Sequence, residues 1–524
     1  MAIALRFQLL SMVALAAVCV IAGCSAQQDA SVAHNSQAES ARAGSPEGLR
    51  PPEDFGQLGA VPVLAQPSPT FSAMPQHQAF EAPPNMLRAA SVPNSAADQP
   101  GAHLSHLPAG AQRDVAQGYA TVRVFYATDR LRDPLSLDDI QLQGEKHTFI
   151  ILAAASAGML VLALMCWVLK RFRTSMALTL GSTAAGGLAI ACVVLGKTTI
   201  EKHGVAYGVD RGVLTRGICD VTVPDSHRRG LVERPSLLKF EFREDQKEHI
   251  VLTSAVELSQ EDFTGRLTQT LQGSPGRDLL VFIHGFNVGF EDAVQRTAQI
   301  AVDLPFEGVP ICYSWPSQGS LIGYSVDENN SEWTIPHLEQ FLLELAQDSG
   351  AKSINVIAHS MGNRVMTAAM QHISRSLAAD AAAPFDRIVL AAPDVDADRF
   401  RRDFAPALLR VGKQVTLYAS SDDQALIASK QVHGYPRAGE SGANIVVVPG
   451  IETIDVSGID LSLLGHSYYG DSESMLRDLF GVVRARLPAP QRNSLVSRQS
   501  GPHVYWQLAH LPGMANRREP NQLR

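Results

Sequence analysis

From residue 278 onward, short apolar runs alternate with longer segments of helical period. The runs are rich in β-branched and aromatic residues, which is typical of buried strands. They read DLLVFI, VPICYSW, SINVIAH, RIVLAA, QVTLYAS and NIVVVPGIETIDVS. Strands that alternate with helices in this way indicate an α/β fold with a mostly parallel central sheet and helices on both faces.

Two long apolar runs interrupt the chain before this region. Residues 148–169 and 174–196 carry no charged side chain, and the basic turn Lys170-Arg171-Phe172-Arg173 separates them. Each has about the 20 residues that a helix needs to cross a bilayer. They predict a transmembrane helical hairpin with its turn on the cytoplasmic side. Strand-like runs flank it, TVRVFYATDR before and GICDVTVPDSH after, so we expect it to be inserted between two strands of one sheet.

The N-terminus has the pattern of a secretory signal. Arg6 is followed by an apolar stretch that is short for a membrane span, and then by small residues. The tetrapeptide Ile21-Ala22-Gly23-Cys24 resembles the bacterial lipobox, which implies lipidation of Cys24. The following segment, to residue 117, is rich in Ala, Ser and Pro, and we interpret it as a flexible tether.

Composition narrows the candidate partners and cofactors. The 524 residues carry a formal net charge of -8, without the basic surplus that nucleic acid binding requires. The six cysteines form no CxxC pair, so no metal site or cofactor is expected. Two buried free thiols are a better interpretation of Cys219 and Cys312 than a disulfide.

The sequence Ala358-His359-Ser360-Met361-Gly362 follows a predicted strand and precedes a predicted helix. A nucleophile at such a strand–turn–helix needs small residues two positions before and after it, because the two backbones approach closely. Ala358 and Gly362 satisfy this requirement. Ser360 is therefore the candidate nucleophile.

A serine nucleophile needs a general base, which in this chain order comes last. His466, on a loop before the final helix, is the favoured base over His433 and His503.

The acid that orients the base should follow the strand before the last one. This favours Asp423, with Asp394 and Asp422 as alternatives. Any of the three could instead cap a helix.

Backbone N–H groups should stabilise the oxyanion. Met361 supplies one of them, and the turn after His284-Gly285 supplies the other, with Phe286 favoured over Asn287. We expect His284 to brace this turn and residues 317–335 to form part of the pocket rim.

These motifs resemble a group of bacterial α/β hydrolases that is known as a domain of unknown function. The resemblance rests, in chain order, on VFYATDR, RGxLxxGxCxVxVP, FIHGFN, YSWPS, AHSMGNR, AAPDVD, YASSDDxAL, PRAG and GHSYY. It covers roughly residues 120–135 and 204–482 and implies the α/β-hydrolase fold with a Ser–Asp–His triad at Ser360, Asp423 and His466. The inserted hairpin departs from the pattern of the group.

The sequence thus predicts a membrane-anchored serine hydrolase, carboxylesterase or lipase-like, that acts on a small-molecule or lipid ester. Amide and thioester cleavage remain open, and a catalytically silent envelope scaffold is the alternative. We expect the hydrolase domain to lie in the periplasm at the inner membrane, with a lipid anchor on Cys24. The predicted segments are a signal peptide (1–23), a tether (24–117), the first part of the hydrolase domain (118–147), the hairpin (148–196), the main part of the hydrolase domain (197–488) and a tail (489–524).

Overall fold

The computed structural model describes residues 102–133, 146–195, 204–236, 241, 244–319, 323–458 and 472–509. The predicted signal peptide, Cys24 and His466 lie outside these residues, as does most of the predicted tether.

Twelve strands form one sheet within the described residues. They are β1 (Gln112–Asp114), β2 (Tyr119–Asp133), β3 (Ala206–Pro224), β4 (Val251–Leu258), β5 (Asp278–Ile283), β6 (Val309–Ser314), β7 (Ser353–His359), β8 (Phe385–Ala391), β9 (Gly412–Ala419), β10 (Ile451–Asp455), β11 (Leu495–Ser500) and β12 (His503–Leu508). Their order is β11-β12-β10-β9-β8-β7-β5-β6-β2-β3-β4, and β1 pairs with β2. The run from β12 to β2 is parallel, and the strands at the two ends are antiparallel.

Helices connect the parallel strands from β5 onward, as the alternating pattern predicts, and further helices precede them. They are α1 (Lys146–Val168), α2 (Phe172–Leu195), α3 (Gln260–Gln272), α4 (Phe290–Asp303), α5 (Tyr324–Trp333), α6 (Ile335–Asp348), α7 (Gly362–Ser376), α8 (Ala405–Val411), α9 (Gln424–His433) and α10 (Ser472–Val483). A turn of α-helix and a π-helix lead from residue 397 into α8.

Alternate residues of the parallel strands point to opposite faces of the sheet, and both faces are covered. On β5, Val281 belongs to a buried cluster that contains Phe341 of α6. Its neighbour Phe282 belongs to a second cluster, which contains Ile300 of α4 and Leu479 of α10. Burial on both faces explains why these strands read as continuous apolar runs in the sequence.

The two predicted helices of the hairpin are present as α1 and α2, and β2 pairs antiparallel with β3 on either side of them. Ser156 and Ser182 join the helices, each hydroxyl donating to the other residue's carbonyl oxygen at 2.9 and 2.8 Å.

No helix within the described ranges is both long enough and apolar enough to cross a membrane. The structure therefore does not support the predicted transmembrane spans over residues 148–196. That prediction rested on length and lack of charge; more than half of the second run is Ala, Gly, Ser and Thr, which contribute little transfer free energy.

Both ends of the hydrolase domain extend beyond their predicted boundaries. Ala102–Ser105 form a 3-10 helix with a buried Leu104, and β1 joins the sheet, although this segment falls within the predicted tether. Beyond residue 488, within the predicted tail, β12 pairs in parallel with β10, and β11 lies outside it. The thiols of Cys219 and Cys312 are free and buried, as expected.

Candidate active site

Ser360 follows β7 directly and has a left-handed backbone, with φ of 48°. This conformation is uncommon outside glycine and stores strain in the turn. Its N–H donates to the carbonyl oxygen of Ala391 at the end of β8, at 2.9 Å. The side chain is half-buried rather than enclosed. The turn therefore holds Ser360 above the carboxyl edge of the sheet, in the geometry of a nucleophile elbow.

Two glycines allow the elbow to approach the turn that follows β5. A Cβ on Gly362 would lie 2.3 Å from the carbonyl oxygen of His284, inside any permitted contact. A Cβ on Gly285 would lie 3.1 Å from the Cβ of Ser360. The glycine at the end of the AHSMG motif is therefore required by close backbone contact, and Ala358 at the other end is buried within β7.

Asn363 fixes the elbow through its side chain. Its amide Nδ2 lies 3.2, 3.1 and 3.1 Å from the carbonyl oxygens of Ala358, Ser360 and Ala391. This link spans β7, the elbow and the end of β8. Sequence reasoning missed it, although Asn363 belongs to the AHSMGNR motif.

His284 lies in the turn after β5 and is fully buried. Its ring stacks on Trp315 with ring centroids 5.2 Å apart, and Trp315 Nε1 donates to the His284 carbonyl oxygen at 2.8 Å. Burial, reinforced by the nearby Arg130 guanidinium, lowers the pKa of His284 to about 3. A neutral, enclosed imidazole suits the expected bracing role better than proton transfer.

The two backbone N–H groups expected to bind the oxyanion belong to Met361 and Phe286. Within the described part of the chain, neither donates a hydrogen bond to a protein acceptor. The alternative donor, the Asn287 N–H, lies near the Asp327 carboxylate, where it partly offsets the rise in the Asp327 pKa that burial causes. This position favours Phe286 over Asn287 as the second donor.

Asp423 comes directly after β9 and caps α9. Its Oδ1 accepts from the N–H groups of Ala425 and Leu426 at 2.9 and 3.0 Å. Asp422, one residue earlier, accepts from the N–H of Gly458 at 2.6 Å. Asp423 thus caps α9, which is the alternative role considered from the sequence. Both cap bonds end on Oδ1, so the cap does not itself require Oδ2.

Asp394, the other candidate acid, lies in a buried cluster beside the elbow. It is 2.9 Å from Arg364 Nη2, 3.2 Å from Arg437 Nε and 3.0 Å from the Tyr324 hydroxyl, and it also accepts from Ser429. Four donors on one carboxylate indicate a structural role, in which Asp394 holds α5, α7 and α9 together. No sequence pattern indicated this cluster, because its members are far apart in the chain.

The predicted pocket rim contains α5. The Tyr324 ring packs edge-on against Phe286, with centroids 5.3 Å apart, so this helix lies directly beside the candidate oxyanion turn. Glu328 of the same helix pairs with Arg364 and with His433 Nε2, the latter at 2.6 Å. These contacts occupy the ring of His433, and His503 lies exposed on β12, so neither competing histidine is placed well for the base.

The carboxyl ends of β7, β9 and β10 lie along one edge of the sheet, since these strands are parallel and separated only by β8. Ser360 follows β7 and Asp423 follows β9. His466 belongs to the segment between β10 and α10, outside the described residues. Ligands in open α/β sheets bind at this edge.

Comparison with known proteins identifies the fold family. Residues 259–484 match the model of a family described as "Alpha/beta hydrolase of unknown function (DUF900)". No curated protein matches the chain.

Two solved structures are distantly similar to this chain. One is a PEG-bound complex of a cold-adapted esterase from an Arctic intertidal metagenomic library, at 11% identity over 53% of this chain and 90% of that chain, with a TM-score of 0.28. The other is the phospholipase PlaB from Legionella pneumophila, at 11% identity over 44% of this chain and 68% of that chain, with a TM-score of 0.24. Neither likeness is close enough to carry an argument about activity. The matched residues 259–484, which include Ser360, Asp423 and His466, are therefore similar to alpha/beta hydrolases of unknown function.

Proposed function

We propose that the protein is a serine hydrolase that cleaves carboxylic esters, with Ser360 as nucleophile, His466 as general base and Asp423 as the acid. The observation that carries this proposal is the strained backbone of Ser360 beside two N–H groups, those of Met361 and Phe286, that have no acceptor among the described residues. Maintaining such a turn costs about 1–3 kcal/mol, which a purely structural serine would not require.

The proposed reaction follows from these positions. His466 removes the proton from Ser360 Oγ as that oxygen attacks the ester carbonyl carbon. The resulting oxyanion accepts hydrogen bonds from the N–H groups of Met361 and Phe286. His466 then returns the proton to the departing alcohol, which leaves an acyl group on Ser360. Water, activated by the same imidazole, hydrolyses the acyl-enzyme.

Asp423 is the best candidate for the acid among the three aspartates. It follows β9, between the strand of the nucleophile and the strand that precedes His466. Asp394 already accepts from two arginines, a tyrosine and a serine. Asp422 accepts from Gly458 and from the Ser421 hydroxyl at 3.0 Å. In the proposed triad, Asp423 fixes the tautomer of His466 and stabilises its protonated form.

We propose a small-molecule or lipid ester as the substrate. The rings of Tyr324 and Phe286 pack against each other at the candidate oxyanion turn, and such an aromatic pair suits an apolar acyl chain. Amide and thioester bonds require the same catalytic groups, so parallel assays with matched acyl chains would distinguish the three bond types.

We also propose that the protein works at the cell envelope, with the hydrolase domain in the periplasm at the inner membrane and a lipid on Cys24. Two features support this location. One is the lipobox-like sequence, and the other is the set of large apolar side chains that the hairpin exposes. They include Leu160, Leu164, Trp167, Phe172, Met176 and Leu180. Apolar surface next to a basic turn suits contact with anionic lipid. Replacing Cys24 with Ser should shift the protein toward the soluble fraction; unchanged fractionation would argue against the lipid anchor.

The experiment that tests the catalytic proposal is fluorophosphonate labelling of the full-length protein. Wild type should be labelled, whereas Ser360→Ala and His466→Ala should not. Ser274→Ala is the matched control, because Ser274 is a buried serine away from the candidate site that donates only to the Glu307 carbonyl oxygen, at 2.9 Å. A folded wild type that remains unlabelled would refute the hydrolase and favour the scaffold.

A further inference from the structure

We propose that Arg130, Ser317 and Asp327 are positioning residues that aim the Phe286 N–H at the oxyanion. This inference rests on the proposed function. None of the three touches the reacting atoms; they act through the backbone of residues 284–288, called here the oxyanion turn.

Arg130 reaches the oxyanion turn from β2 and is fully buried. Its Nη2 donates to the Val288 carbonyl oxygen at 2.7 Å, and its Nη1 donates to the Ser317 carbonyl oxygen at 3.0 Å. Its Nε donates to Ser314 Oγ at 2.9 Å. The planar guanidinium therefore ties the end of the turn to the segment after β6 in a fixed geometry.

Asp327 reaches the turn from the opposite side, on α5, and is also fully buried. It accepts from Ser317 Oγ at 2.6 Å and from the Gln318 N–H at 2.7 Å. Burial raises the pKa of Asp327, and the nearby Asn287 N–H partly offsets this effect. The negative charge of Asp327 thus lies beside the residue after Phe286, whose backbone is left-handed with φ of 59°.

Ser317 closes the network between the two charged residues. The Val288 N–H donates to Ser317 Oγ at 3.2 Å, and the same hydroxyl donates to Asp327. Both backbone groups of Val288 are thus bonded within this network. Trp315 holds the other end of the turn through the His284 carbonyl oxygen. Phe286 lies between these two fixed points, with its N–H left for a ligand.

The buried charges of Arg130 and Asp327 are not what a purely structural role for these residues would require. Arg130 donates to carbonyl and hydroxyl oxygens, and burial lowers its pKa to about 10 despite the nearby Asp129 and Asp327. Apolar residues of similar volume often fill such a core at lower cost. The Arg130 guanidinium and the Asp327 carboxylate instead fix the orientation of the peptide groups near them. An oxyanion hole depends on such a fixed orientation of its N–H groups.

The test compares Ser317→Ala, Asp327→Asn and Arg130→Lys with Ser274→Ala as the control, using p-nitrophenyl butyrate as the probe ester. We expect kcat to fall about tenfold for Ser317→Ala and about 100-fold for the other two variants, with KM changed less than about twofold. Fluorophosphonate labelling rates should fall in parallel, since the phosphonyl oxygen occupies the same hole. Ser274→Ala should match the wild type in all three quantities.

Each variant's folded fraction is measured by urea denaturation, and rates are expressed per folded molecule. If Arg130→Lys does not fold, Ser317→Ala still decides the matter, because it removes a single oxygen atom. Wild-type kcat per folded molecule in Ser317→Ala and Asp327→Asn would overturn the inference while leaving the hydrolase intact. An unlabelled wild type would instead refute the hydrolase, and this inference with it.

Discussion

The contact at Gly362 gives the sharpest test of the candidate site, through the substitution Gly362→Ala. The new Cβ would lie 2.3 Å from the His284 carbonyl oxygen and 3.0 Å from that of Ile283. A normal carbon–oxygen contact is about 3.3 Å, so the elbow and the oxyanion turn must separate by roughly 1 Å. Both atoms are backbone oxygens, so no side-chain rotation can relieve the clash.

The separation should affect activity more than stability. Forcing a methyl group into a packed site costs about 1–3 kcal/mol. A displacement of about 1 Å in a catalytic site costs about 100-fold in rate, because it moves Phe286 and Met361 apart around the oxyanion. We therefore expect the second-order rate of fluorophosphonate labelling to fall about 100-fold, while the protein remains folded.

Gly265→Ala provides the matched control. Gly265 lies on α3, and a Cβ there would meet no atom within 4 Å. This variant should keep its labelling rate and gain about 1 kcal/mol of unfolding free energy. A wild-type labelling rate in folded Gly362→Ala would refute the reasoning, because the two loops would then not need their close contact.

Three further predictions concern the acid, the elbow and the dependence of stability on pH. Asp423→Asn should slow labelling about 10⁴-fold. Asp394→Asn should instead mainly lower the free energy of unfolding, by about 3–5 kcal/mol, since it leaves the buried Arg437 without its carboxylate partner; a larger loss of labelling in Asp394→Asn would move the acid there. Asn363→Ala should cost about 1–3 kcal/mol in urea denaturation and slow labelling, because carbonyl oxygens around the elbow lose their donor; full activity would show that the elbow holds itself. Burial alone would lower the pKa of His227, but the Asp303 and Glu233 carboxylates raise it to about 10 from 6.5. The protonated form is therefore favoured by folding, and its stabilisation is complete below about pH 6.5 and lost as the pH rises toward 10. His227→Gln should flatten that decline in unfolding free energy, and an unchanged slope would assign it to other groups.

Local sequence patterns predicted the parts of the molecule that depend on local physics. Buried parallel strands give continuous apolar runs, so β5 to β9 could be located without a structure. The elbow was predicted because its backbone geometry demands small residues at fixed spacing around Ser360. The pairing of β2 with β3 around an insertion was also predicted, from strand-like runs on each side.

Features that depend on contacts between distant segments could not be predicted in this way. Asp394 was a candidate acid because it follows a strand, and only the structure places Arg364 and Arg437 around it. The role of Arg130 depends on partners more than 150 residues away. Short exposed strands such as β11 have no apolar period, so the sheet was predicted to end too early.

The pairing of β2 with β3 has a consequence for how the hairpin could be gained or lost. Asp133 and Ala206 are register partners, so the segment that contains α1 and α2 is joined to the sheet at neighbouring positions. An insertion whose two ends already meet adds only a small loop-closure entropy, which grows with the logarithm of its length. We therefore expect that a short loop could replace α1 and α2 without a change of strand register, provided that Gly204 and Val205, which pair with Ala255, are kept. Such a deletion would yield a smaller protein for biochemical work.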